Sequence, residues 1–161
     1  HHYTDDTVIQ DGDVVIMDFG CNVGGYHSDI TRTICVGEAT DEARQVYQIV
    51  LEAHKAAHAA AQVGVECQEI DRAARKVIDD SGYGEFFVHR TGHGLGRRIH
   101  EEPYMVEGNG QKLEVGNCFS DEPGIYLPGS FGIRIENILH QTPEGAKSFN
   151  AAPPEELPEL K

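Results

Sequence analysis

Asp18 and Asp29 sit in two strand-like runs joined by a glycine turn, and few folds tolerate that arrangement. Asp18 closes the apolar run Val14-Val15-Ile16-Met17, which reads as a buried strand. Asp29 opens a second strand that continues through Thr31-Arg32-Thr33-Ile34-Cys35-Val36, and the turn between them is Asn22-Val23-Gly24-Gly25. A hairpin symmetric about the Val23-Gly24 bond sets the two aspartates directly opposite each other. Like charges so placed repel. Such a pair is expected only with a cation between its members, and a bound divalent metal is the simplest one.

A second stretch has the same character. Glu122 precedes Pro123, Glu136 lies in Ile133-Arg134-Ile135-Glu136-Asn137-Ile138-Leu139, and Pro128-Gly129-Ser130 connects them. A hairpin centred on Gly129 again sets carboxylate opposite carboxylate, with a bulge near Pro123 able to move the register by one. Between the two hairpins in sequence, Thr91-Gly92-His93-Gly94-Leu95-Gly96 supplies an imidazole. Four carboxylates and one histidine suit Mn, Fe, Co or Zn, and carboxylates that can bridge suit a pair of ions.

The 161 residues are about one domain's worth of chain. A net charge of -14, with 27 acidic against 13 basic residues, argues against a nucleic-acid surface, which needs clustered Lys and Arg. No apolar run approaches the roughly 20 residues of a membrane helix, and no signal-peptide pattern is present. These features lead us to expect a cytoplasmic protein with no membrane or nucleic-acid partner. Cys21, Cys35, Cys67 and Cys118 lack metal or redox spacing and are expected as free thiols. Cys118, although near Glu122, has no activating pattern around it.

Thr40 is an N-cap followed by Asp41 and Glu42, so a long helix is expected to about residue 62. Its apolar face is Ala43, Val46, Tyr47, Val50, Ala53, Ala57 and Ala60. His54 and His58 are spaced as a metal-binding pair could be, but with no third ligand in the pattern they are expected as surface histidines. A second helix is expected over 67–81, ending at Gly82. Phe86-Phe87-Val88 reads as a short strand, the segment around His93 as a strand crossing the floor of a site, and His100-Glu101-Glu102-Pro103-Tyr104 as a loop. His89 and His100, grouped with His93, are candidate functional residues. Two strand-like segments, 134–139 and 145–149, precede a Pro- and Glu-rich tail.

Taken together, Val14-Val15-Ile16-Met17-Asp18-Phe19-Gly20, Ser28-Asp29-Ile30-Thr31-Arg32-Thr33, His89-Arg90-Thr91-Gly92-His93-Gly94-Leu95-Gly96, His100-Glu101-Glu102-Pro103, Asp121-Glu122-Pro123-Gly124-Ile125-Tyr126 and Arg134-Ile135-Glu136-Asn137 resemble the pita-bread metallopeptidases. The likeness is greatest to the Xaa-Pro peptidases, the prolidase and aminopeptidase P group. The resemblance implies an α+β pita-bread fold, a curved antiparallel sheet backed by helices, with 1–161 as one catalytic domain whose first half is incomplete. An incomplete first half is expected to leave an apolar face of the first hairpin exposed.

The same resemblance implies that Asp18, Asp29, His93, Glu122 and Glu136 bind two divalent ions, with Asp29 and Glu136 bridging. Mn is the first choice, and Co, Zn or Fe are compatible. A water or hydroxide shared by the ions would attack the carbonyl before proline, with Glu122 accepting its proton. His89 and His100 are implied to hold the scissile carbonyl and developing oxyanion, and Arg134 to orient the site or the substrate carboxyl group. His1, or its neighbour His2, falls at the position of a further substrate-side histidine. The implied substrates are dipeptides or short peptides with proline second, and relatives suggest a homodimer. A methionine aminopeptidase would share the five ligands but not His89 or Arg134-Ile135-Glu136. A binding protein on the same fold would be expected to have lost ligands that are all present here.

Overall fold

Gly24 and Gly25 form a two-residue turn at φ +61° and +87°, a left-handed pair that turns a twisted antiparallel ribbon back on itself. They join β1 (Val14–Val23) to β2 (Tyr26–Val36) in the computed structural model, which describes residues 6–161. The turn lies one residue later than expected, and the register changes with it. Asp18 pairs with Thr31, and Asp29 pairs with Gly20. The aspartates are therefore diagonal neighbours on one face, not direct partners. Gly20 is required there, since a Cβ would fall 2.0 Å from the Ser28 carbonyl oxygen. On the opposite face Phe19, Val23 and Tyr26 are exposed, as expected of this hairpin.

Thr40 caps α1 (Asp41–Ala60), its Oγ1 accepting the Ala43 amide at 3.1 Å, and Asp41 and Glu42 occupy the positive end of the helix dipole. The expected apolar face is buried through Ala57, with Ala60 half-buried, and Leu51 and His54 are buried with it. This corrects the surface assignment of His54, which is 3% exposed. The partner helix α2 (Cys67–Asp80) buries Ile70, Ala74 and Ile78, and Gly82 follows its end at φ +83°. The two helices share one core with Phe119, Ile125, Ile133, Ile135 and Leu139 of the sheets.

The expected strand at 86–88 is absent: Gly84–Phe86 is a single 3-10 turn, and the chain then runs irregularly to His89. The expected loop at His100 is instead followed directly by β4 (Glu101–Met105), which pairs with β3 (Gly92–Gly94). Next come β5 (Cys118–Asp121), β6 (Gly124–Tyr126), β7 (Gly132–Arg134), β8 (Asn137–Thr142) and β9 (Gly145–Ser148). A five-stranded sheet runs β4-β3-β5-β8-β9, and β6 pairs separately with β7.

The register of β5 with β8 and that of β6 with β7 are one register, interrupted where Glu122 and Glu136 stand. The pairing centred on Gly129 is thus observed, with no shift at Pro123. Glu136 instead bridges to Thr31, its amide donating to the Thr31 carbonyl at 3.1 Å, which joins the second hairpin to the first. The tail is docked as well. Leu157 is buried, and β10 (Glu159–Leu160) pairs parallel with β2 while Glu159 meets Arg44 at 2.7 Å.

Candidate metal centre

Strand alternation aims the acids. On β1 and β2 one face carries Asp18, Asp29 and Thr31, because residues two apart share a face and paired residues lie side by side. The break in the second hairpin turns Glu122 and Glu136 toward that same face, and β3 delivers His93 beside them. Asp18, Asp29, His93, Glu122, Glu136 and His100 line one cavity of about 560 Å³. Ligand atoms of Asp29, His93 and Glu136 all lie within 4.8 Å of one another.

Each candidate ligand is held from behind. The His93 amide donates to Ser120 Oγ at 2.9 Å, and Ser120 Oγ donates to Glu122 Oε1 at 3.0 Å. His93 Nδ1 lies 3.0 Å from the Gly94 carbonyl, which can only accept, so Nδ1 carries a proton and Nε2 faces Glu122 Oε1 at 3.2 Å. Thr31 Oγ1 donates to Glu136 Oε2 at 2.6 Å and Asp29 Oδ1 accepts the Ile30 amide at 3.0 Å. The second Glu136 oxygen, Oε1, is buried with no hydrogen-bond partner among the described residues.

These surroundings are electrostatically unsatisfied. Burial, aided by Glu122 and Asp29, pushes Glu136 up to about 9. Burial and the adjacent Asp18 raise Asp29 to about 6. Glu122 shifts the other way: burial opposes its charge, but the hydrogen bond and charge of His93 hold it below the ordinary carboxylate range. His93 is raised, the Glu122 contacts outweighing burial. Carboxylates that cannot all ionise, one bare buried oxygen and an imidazole nitrogen facing them form a donor set that a divalent cation fits.

The remaining candidates divide. The His100 ring meets His93 edge to face at 4.2 Å between centroids, and burial with the neighbouring His93 lowers its pKa, favouring the neutral donor. Arg134 is buried and each of its three nitrogens is engaged: Nη2 donates to Asp18 Oδ2 at 2.6 Å, Nη1 to Tyr126 Oη at 2.9 Å and Nε to Thr31 Oγ1 at 3.2 Å. His89 is half-buried, its ring against that of Tyr126. Its Nδ1 donates to the Arg90 carbonyl at 2.8 Å and its Nε2 accepts from Tyr126 Oη at 2.8 Å. His1 lies outside the described residues. Thr31, Ser120 and Tyr126 were not singled out in the sequence; Thr31 and Ser120 could have been, standing two positions from Asp29 and Glu122 on the same faces. Behind Glu122, His54 Nδ1 lies 3.0 Å from Asp121 Oδ2 in full burial, without hydrogen-bond alignment. The four cysteines are free.

Comparison with known proteins places the chain in a family. The chain is 47% identical over 156 residues to the "Probable dipeptidase PepE" of Mycobacterium tuberculosis, covering 96% of this chain and 42% of that protein. It is 44% identical over 147 residues to the "Xaa-Pro dipeptidase" of Pyrococcus furiosus, covering 91% of this chain and 42% of that protein. Among solved structures, a dipeptidase from Pyrococcus horikoshii superposes with a TM-score of 0.96 at 41% identity, over 99% of this chain and 45% of that one. A prolidase from Thermococcus sibiricus gives 0.96 at 44% identity, over 99% and 43%. The chain therefore spans less than half the length of the relatives it matches, and the pita-bread fold expected from its motifs is the fold of these prolidases. The sequence pattern of metallopeptidase family M24 matches residues 1–143, and with identities of this order the chain belongs to that family.

Proposed function

We propose that this chain supplies, as one catalytic domain, the dinuclear metal site of a peptidase that hydrolyses the bond before proline in Xaa-Pro dipeptides or short peptides. The observation that carries the reading is the convergence of five donors on one cavity around the unpartnered Glu136 Oε1. Asp18, Asp29, His93, Glu122 and Glu136 would hold the ions, with Asp29 and Glu136 shared. Mn²⁺ suits four hard carboxylates. When bound, such ions lower the pKa of a water held between them and polarise the peptide carbonyl.

The protein groups supply positioning and proton handling. Glu122, oriented by Ser120 and His93, accepts the proton of the attacking water. Neutral His100 at the cavity wall donates to the developing oxyanion, a contribution of about 3–4 kcal/mol for a well-aimed donor. Arg134 fixes Asp18, and Tyr126 connects that arginine to His89, which would stand with His100 on the substrate side of the site. A cytoplasmic setting is consistent with free cysteines and with the absence, among the described residues, of any helix long and apolar enough to cross a membrane. A homodimer is the assembly that the family resemblance implies.

The test is hydrolysis of Ala-Pro, Ala-Pro-Ala and Met-Ala-Ser by the full-length protein, with and without Mn²⁺ and with a chelator control. Chelator-sensitive cleavage confined to the proline peptides is the expected result. Cleavage of the methionyl peptide alone would overturn the reading.

A further inference from the structure

The site face of the first hairpin continues past Asp29. Two positions toward the turn, Asn22 pairs with His27, and both side chains line the same cavity as the metal ligands. Gly20 lies between this pair and the acids and has no side chain, so the surface from Asp29 to His27 is open.

The chemistry of the pair is fixed by its hydrogen bonds. Asn22 Oδ1 accepts the Gly25 amide at 3.1 Å, which sets the amide orientation and leaves Nδ2 3.0 Å from His27 Nε2. An amide nitrogen only donates, so His27 Nε2 accepts and the ring proton is on Nδ1. The pair then has two remaining donors, His27 Nδ1–H and the second Nδ2–H. Its only side-chain acceptor oxygen is already engaged by Gly25. The backbone is held too, with the His27 amide donating to the Gly96 carbonyl at 2.8 Å. A group with two free donor hydrogens, whose one acceptor oxygen already holds the Gly25 amide, is matched by a carboxylate, which offers acceptors alone.

The spacing is that of a dipeptide. Two strand residues separate the Asn22–His27 rung from the Gly20–Asp29 rung, about 7 Å at the usual rise. An extended dipeptide covers about the same length. Arg134, the cation that family resemblance would assign to the substrate carboxyl, is held by Asp18, Tyr126 and Thr31. We infer that the Asn22–His27 pair receives the C-terminal carboxylate of a dipeptide substrate whose scissile bond lies at the acidic cluster. This deepens the Xaa-Pro reading and rests on it. It also gives a physical reason for the site to favour dipeptides over longer chains, in which that carboxylate lies further away.

The experiment compares Ala-Pro with Ala-Pro amide on the full-length protein and on its His27→Ala variant. The expected result is a rise in KM for Ala-Pro of about tenfold, the range of one charge-assisted hydrogen bond, with kcat within about twofold and no change in KM for the amide. An equal rise for both substrates, or none for either, would overturn the assignment. Should His27→Ala not fold, Asn22→Ala, at an exposed position, is read by the same comparison. If the wild-type protein cleaves neither substrate, the Xaa-Pro reading fails by itself. The carboxylate seat is then judged by the ring ¹⁵N shifts of His27 on adding each compound: a response to the acid alone sustains it, and an equal response or none removes it.

Discussion

Thr31 Oγ1 donates to Glu136 Oε2 at 2.6 Å while receiving Arg134 Nε at 3.2 Å, so one buried hydroxyl joins an acid to the arginine that holds another acid. Thr31→Val keeps the shape and deletes both contacts. Loss of a hydrogen bond behind a ligand typically lowers metal affinity about 10–100-fold. Calorimetric titration with Mn²⁺ should show a loss in that range with little change in secondary structure; unchanged affinity would remove Thr31 from the support of the site.

Asp29→Asn and Glu136→Gln should each abolish Mn²⁺ binding and hydrolysis, yet stabilise the metal-free protein. In the absence of a cation the two carboxylates are desolvated and face other acids. A neutral amide removes, at nearly constant volume, the cost of ionising Asp29 beside other acids and the cost of keeping Glu136 protonated in the fold. Thermal melts in chelator are expected to shift upward for both variants, and retained hydrolysis in both would sink the dimetal assignment.

Both groups also set a pH dependence. Asp29 ionises near 6 when folded against an ordinary 3.8, and Glu136 near 9 against 4.5. The folded state therefore holds protons that the unfolded state has released. Their stabilising contribution is complete below about pH 4 and is lost as pH rises through about 6 for Asp29 and about 9 for Glu136. Melts in chelator from about pH 5 to 9 should show that decline, and saturating Mn²⁺ should flatten it. A decline that persists unchanged with metal would assign it to other groups.

His54→Ala tests the support beneath Glu122. The substitution removes the imidazole that lies 3.0 Å from the fully buried Asp121 carboxyl group, and taking away one member of a buried pair costs about 3–5 kcal/mol. Denaturant titration should register a loss of that order. Replacing Asp121 by Asn in the same background should recover part of it, since the stranded charge is then gone.

How much of this was legible in the residues depends on what fixes each feature. The five candidate ligands stood out because acids in apolar, strand-patterned surroundings are costly unless neutralised, and their spacing puts them on common faces. The register of the first hairpin was read from the wrong bond: Gly24 and Gly25 both take left-handed angles, so the turn is centred between them. The difference is two positions in pairing, an even number, which leaves Asp18 and Asp29 on the same face and the site intact. His54 was misjudged because helical periodicity shows which face is buried but not what it meets. Its partner, Asp121, is on a distant strand. The same limit hid β10, whose pairing depends on the Arg44–Glu159 contact and on Leu157 finding the core.

Glu122 and Glu136 stand at a non-hydrogen-bonded rung, next to the rung where the Ile135 amide donates to the Pro123 carbonyl at 3.4 Å, so both of their amides point out of the hairpin. The Glu122 amide donates to the Thr91 carbonyl at 2.8 Å and the Glu136 amide to the Thr31 carbonyl at 3.1 Å, so each acid is seamed to the segment carrying a different ligand, His93 or Asp29. Hydrogen exchange at these two amides should consequently report one cooperative opening, with both protons protected together and released together. For the proposed metal site, retention would then be tied to the seams, and mutations that loosen either one should shorten the residence time of bound Mn²⁺.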